Sequence, residues 1–326
     1  MLERRLGRVW LACLFVGALT AIGCGAPVGT GDGGDADPGD VVSTGDSVGG
    51  GDSFVTPDTP ILPDGGMAYS EPVCANPLAS LSDLSAAYVN TAAGVRAAAA
   101  GIADRRYPIG RLFIDNQSDM NLLAWYSRRN TFADILNNFE VAVHEGQHIW
   151  DIGMIAGGMW PYRLRDDLVI RARRLTNFNR SEILTVHTFA AMDMYAPVYL
   201  MGGSGAQGFN TLLDEYSAYV HSLAARYCTR DGLAMGTRIS ARDGILTMMY
   251  YVEMYLRLAR TVHPADYAAI LADPEHIRLI LTVWARAEFW LNLSTPFPSL
   301  GLRDATIRPV TYDPANVAEI DMLRGR

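Results

Sequence analysis

The sequence predicts a mainly α fold with at most a small β-sheet, preceded by a long segment that does not fold. Three observations carry this. After residue 72, apolar residues recur mostly at three- and four-residue steps, the period of helices buried along one side. Strand-like character is confined to two short stretches. Between Gly25 and Gly66 the chain holds 12 Gly and 8 Asp with no Arg, a composition too polar to bury a core.

The elements follow in chain order. Arg4, Arg5 and Arg8 precede an apolar run from Val9 to Ile22, which ends in Ala21-Ile22-Gly23-Cys24. A charged start, a short apolar run and small residues before the end make residues 1–23 a signal peptide, too short for a permanent membrane span. The four residues ending at Cys24 resemble a bacterial lipobox, with Ala21 where leucine is usual. That resemblance implies lipidation of Cys24 and a bacterial cell-envelope address, with simple secretion as the alternative.

Residues 24–71 then read as a tether. Treated as a flexible coil, its Gly- and Asp-rich part spans about 36 Å root-mean-square. Residues 72–326 form the folded part, with helices expected over 81–103, 132–155, 180–200, 209–227, 241–262, 264–272 and 274–293. Strands are expected at 111–115 and 168–173. The apolar stretch Ile245 to Ala259 is broken by Glu253 and Arg257, which marks a core helix and not a membrane span.

Composition removes several functions. All 27 basic side chains are Arg, so Schiff-base, Walker A and Ser-Lys chemistries lack their amine. Residues 1–23 carry three Arg and one Glu, so their removal moves the formal charge from -8 to -10. Such a balance argues against a nucleic-acid partner. Cys13 leaves with the signal and Cys24 is the lipid site, which leaves Cys74 and Cys228 as candidates for a disulfide in an oxidising compartment, two free thiols being the alternative.

Chemistry concentrates in His144-Glu145-Gly146-Gln147-His148, an H-E-x-x-H run inside the helix expected over 132–155. Thr131 caps its start, and Gly157-Gly158 ends it. At helical pitch the two imidazoles lie one turn apart on one face, where both reach a single metal ion. Glu145 beside them is placed to move protons. A catalytic zinc site needs a third ligand. Met154 occupies the position where a metzincin has its third His. Glu215, which is 67 residues beyond His148, shares a helix face with Tyr219 and Ser222 and is the leading candidate. His187 and Glu182 compete with it. Asp151 is expected to orient a ligand, and His221, His263 and His276 to be structural.

With H-E-x-x-H on one helix and a candidate Glu on a later one, the chain resembles the gluzincin class of zinc metallopeptidases. The resemblance implies a zincin-like helical metallopeptidase domain, with His144, His148 and Glu215 holding Zn2+ and Glu145 as general base. Many gluzincins carry an Asp four residues after the ligand Glu. Tyr219 stands there in this chain, so any support it gives the first His takes another form. His187 is the spare imidazole for stabilising an oxyanion. The expected function is therefore a lipid-anchored, exported hydrolase of peptide or protein substrates. Its competitors are a non-catalytic zinc-binding surface lipoprotein and a metal-free helical lipoprotein.

Overall fold

The computed structural model describes residues 69–74, 78–126, 128–233 and 235–325. The expected signal peptide, nearly all of the expected tether and Cys24 lie outside these residues. The described part is mainly helical with one two-stranded antiparallel sheet.

The chain enters along a strap, Tyr69–Cys74, whose Glu71 carboxylate is buried against Arg286. Tyr69, Ser70 and Glu71, which composition places with the tether, thus belong to the packed body. Where one helix is expected over 81–103 there are two, α1 (Ser82–Ala87) and α2 (Ala92–Arg106). The Thr91 hydroxyl accepts from Gly94 N at 3.1 Å and starts the second helix afresh. The strand expected at 111–115 is instead helix α3 (Ile109–Asp115). Arg111 reaches Asp115 at 2.8 Å one turn on and Asp104 at 2.7 Å, pairs that a strand would not form. Phe113 and Ile114 are buried.

A short helix α4 (Asp119–Ala124) follows. The long helix expected over 132–155 breaks at Asn138 into α5 (Phe132–Asn137) and α6 (Phe139–Gly153). Thr131 and Asp134 form a capping box at the start of α5. Asn138 Nδ2 donates to Asp134 O at 2.8 Å, a side-chain bond that competes with the helical ladder there. Strand β1 (Met159–Arg165), which Pro161 disguises in the sequence, pairs with β2 (Leu168–Arg173), and β2 lies where it is expected.

The expected helix over 180–200 does not form. Two 3-10 turns, Arg180–Thr185 and Ala190–Met192, and a one-turn helix α7 (Ala196–Tyr199) take its place. Side chains there satisfy the backbone directly: Asp193 accepts from Tyr195 N at 2.7 Å, and His187 Nδ1 accepts from Phe189 N at 3.2 Å. A further one-turn helix, α8 (Gly202–Gly205), leads to the long helices α9 (Phe209–Cys228), α10 (Ala241–Thr261), α11 (Pro264–Leu271) and α12 (Pro274–Ser294). Two helices not anticipated from sequence, α13 (Asp304–Thr311) and α14 (Pro314–Arg324), close the fold against α10.

The core is a stack in which α9 is central. It packs on α6, α10 and α12, while α3 covers the far side of α6 and the β-hairpin bridges α6, α9 and α12. Helices α9 and α10 are buried along most of their length, polar residues such as Asp214, His221, Asp243 and Glu253 included. Among the described residues, no helix is long and apolar enough to cross a membrane.

Candidate metal centre

Two helices and one glycine set the site. Gly146 has no side chain because α3 lies against it: a Cβ there would sit 2.4 Å from Gln117 Nε2 and 2.6 Å from Phe113 O. This contact turns the opposite side of α6, with His144 and His148, onto α9. Glu215 meets them from α9. The His144, His148 and Glu215 group could hold a metal ion.

Its geometry is specific. His144 Nε2 and His148 Nε2 are 3.1 Å apart, and Glu215 Oε2 lies 3.6 Å from the first and 3.3 Å from the second. A tetrahedral ion with bonds of about 2.0–2.1 Å requires ligand atoms about 3.3 Å apart. Both histidines are buried, at 3% and 7% exposed, while the Glu215 side chain keeps 14%. The Glu215 oxygen that faces the histidines is itself buried.

Hydrogen bonds fix which nitrogen each ring offers. Ser222 Oγ donates to Ala218 O at 3.1 Å, so at 2.9 Å it accepts from His144 Nδ1. Asp214 Oδ2 accepts from His148 Nδ1 at 2.7 Å. Both Nε2 lone pairs are left pointing at the shared position, the arrangement in which outer partners orient metal-binding imidazoles. Burial works against charge on His148, but the carboxylates of Asp214 and Glu215 outweigh it and raise its pKa well above the usual value. Burial likewise opposes ionisation of Glu215, and His148 overcomes it, holding the carboxyl well below its usual range. A divalent cation at the shared position would compete with a proton for His148 Nε2.

Asp151 sits one residue-pair further out. It accepts from Arg163 N at 3.1 Å and from Gln147 Nε2 at 3.1 Å, and its carboxyl meets that of Asp214. Burial, reinforced by Asp214, pushes its pKa well up. Asp151 therefore acts on His148 only through Asp214. Gln147 also donates to Ser217 Oγ at 2.7 Å, which ties α6 to α9 beside the ligands.

Tyr219 supports His144 by shape. Its ring stands edge-on to the imidazole at 4.9 Å, in space that Gly244 provides, because a Cβ on Gly244 would lie 2.3 Å from the ring. Its hydroxyl goes to Tyr199 OH at 2.7 Å. Both phenols are raised in pKa by burial, and the charges of Glu215 and Glu145 add to the rise. Glu145 itself is buried at 1% exposed. Arg180, fully buried, places its guanidinium over the Tyr199 ring at 5.6 Å and donates from Nε to Ser204 O at 2.9 Å. Burial lowers its pKa, with Glu215 the largest opposing charge.

His187 is not free for an oxyanion. Its Nε2 is 2.7 Å from Asp193 Oδ2, its Nδ1 accepts from Phe189 N, and Tyr251 OH donates to the same Asp193. Glu182 pairs with His263 at 2.8 Å, and neither His187 nor Glu182 joins the ligand group. His221 contacts Tyr107 and Arg286, and His276 contacts Asp273, in structural roles. The sequence reading missed Asp214, Ser222, Tyr199 and Arg180. The first two carried a signal: Asp214 precedes Glu215, and Ser222 shares its helix face. No protein-family model matches the chain, and neither a curated protein nor a solved structure shows significant similarity to it.

Proposed function

We propose that the chain is a zinc metallopeptidase exported to the bacterial envelope and lipid-anchored through Cys24. The observation that carries this reading is the near-equilateral Nε2, Nε2, Oε2 triangle, with both Nδ1 atoms locked by Asp214 and Ser222. Two neutral imidazoles and one carboxylate suit zinc, and a three-ligand set leaves a fourth position for water or substrate. Bound zinc would supply Lewis acidity and a water of pKa about 7.

The protein's own groups do the rest. Glu145, next to the first ligand, takes the proton of the attacking water and delivers it to the leaving amine. The Tyr199–Tyr219 pair has two O–H donors and one mutual hydrogen bond. One phenol proton is therefore available to the oxygen that gains charge, the role His187 was expected to fill. Arg180 offsets the carboxylates around the centre.

The test has two stages. Metal analysis of the full chain should find one zinc, lost in Glu215→Ala and in His148→Ala. Glu145→Gln should then keep the zinc and lose peptide hydrolysis by at least about 100-fold. Zinc without hydrolysis of any peptide by the unaltered chain would favour a non-catalytic binding protein, and absence of zinc after reconstitution would remove the reading.

A further inference from the structure

The strap Tyr69–Cys74 is held to the body outside the metal centre, by the Arg165 bond to Ser70 O at 2.7 Å and at two further places. At the first, Glu71 takes both Nε and Nη2 of Arg286, at 2.8 and 3.2 Å, and accepts from Trp290 Nε1 and Tyr69 OH. The Glu71 side chain is 4% exposed and that of Arg286 is 1%. Arg286 passes the contact on to Tyr107 OH at 2.9 Å, and Tyr107 OH lies 2.6 Å from His221 Nδ1 on α9. At the second, the Cys74 and Cys228 side chains are free thiols and neighbours of each other. Cys228 is the last residue of α9, the helix that carries Asp214, Glu215 and Ser222.

We propose that Cys74 and Cys228 form a disulfide under oxidising conditions, fastening the strap that leads from the tether to the end of the metal-ligand helix. The two thiols are unlike in a way that gives the reaction an order. Cys74 is half-buried and reachable, and Cys228 is fully buried. The Arg230 guanidinium, fixed over the rings of Tyr227 at 4.3 Å and Phe297 at 4.4 Å, stands beside Cys74. Contact with Cys228 and the nearby Arg230 favour the Cys74 thiolate, while burial pushes the Cys228 thiol up.

With a small or protein disulfide as oxidant, the Cys74 thiolate attacks one of its sulfurs and displaces the first thiol. Cys228 then gives up its proton and attacks the Cys74 sulfur, displacing the second. Two electrons and two protons leave the cysteines, and one oxidant disulfide becomes two thiols. The cross-link closes a loop of 154 residue steps between the two cysteines. It also keeps Glu71, three residues earlier, on Arg286. Were the strap to peel away, a buried guanidinium would lose its partner.

The experiment uses the full chain equilibrated with glutathione disulfide, alkylated under denaturing conditions and mapped by peptide mass. The expected product is a Cys74–Cys228 peptide pair lighter by two hydrogens. Reduction should lower the melting temperature by roughly 5–15 °C, and Cys74→Ser should melt at the reduced value with or without reductant. Alkylated Cys74 and Cys228 in the oxidised sample, glutathione retained on Cys74, or a link from either to Cys13 or Cys24 would overturn the proposal. Because the readout needs neither metal nor turnover, and does not depend on cellular export, it stands or falls apart from the peptidase reading.

Discussion

Replacing Gly146 with Ala sets two opposing effects against each other inside the metal-site helix. Helix propensity favours Ala over Gly by about 1 kcal/mol. The structure opposes it, because the new Cβ would lie 2.4 Å from Gln117 Nε2, 2.6 Å from Phe113 O and 2.9 Å from Phe113 Cβ, where ordinary contact begins at 3.4 Å. One of these atoms is helix backbone and cannot swing away. Gln117 is little freer, since Nε2 donates to Phe113 O at 2.8 Å and Ala142 O at 2.9 Å, and Oε1 accepts from Trp125 at 2.6 Å. Overpacking of this kind costs about 1–3 kcal/mol. Disturbing the Gln117 bonds adds roughly 1–2 kcal/mol more. The net expectation is a loss of about 1–4 kcal/mol, read as a lower urea midpoint with an unchanged slope. Relief of the clash moves α6 toward α9, so under the proposed function zinc affinity should fall as well. A variant as stable as the parent would show that α3 and α6 are not in this contact and that the glycine of the motif is incidental.

The other expectations concern the supports of the site and one buried acid elsewhere. Asp214→Asn removes the carboxylate that accepts from His148 Nδ1 at 2.7 Å and should weaken zinc binding about 10- to 100-fold in a chelator competition, while unchanged affinity would contradict its orienting role. Glu253 on α10 is fully buried, neither carboxyl oxygen has a hydrogen-bond partner, and burial raises its pKa from 4.5 to about 9. Because its folded pKa is raised, the stability it permits is fully present below pH 4.5 and is lost as pH rises through about 9. Glu253→Gln should therefore match the parent near pH 4.5 and exceed it increasingly toward pH 9, by up to about 1.4 kcal/mol per pH unit, and parallel urea midpoints across that range would refute this.

The parts of the fold legible in the sequence are those in which burial alone decides the structure. Helices α9, α10, α11 and α12 fall within a residue or two of their expected ends, because long apolar periodicity with Pro264 and Pro274 at helix starts leaves little choice. Glu215 was reachable for the same reason: a correct helix face makes a correct list of neighbours, and the structure brings it to His144 and His148. What failed was decided by single hydrogen bonds. Asn138 breaks a helix whose apolar period runs straight through it, and the stretch that looks like a strand is a helix on which Arg111 pairs with Asp104 and Asp115. Pro161 hides β1, and its pairing with Arg171 appears only in the partner strand.

The segment 180–200 is the case with consequences for function. As one helix it would present His187 on a face chosen by periodicity. Its side chains instead bond its own backbone, His187 is consumed by Asp193 and Phe189 N, and the turns that result bring Arg180 and Tyr199 together. Tyr199 reaches Tyr219, whose ring lies against His144, so the irregular segment meets the metal helices through a phenol and not an imidazole. No local period encodes that meeting, because it depends on Gly244 of α10 leaving room for the Tyr219 ring. A ligand set drawn from two regular helices can be read from spacing. The groups that would act on a substrate beside it come from a third, irregular segment, and they become visible only once the space between α9 and α10 is known.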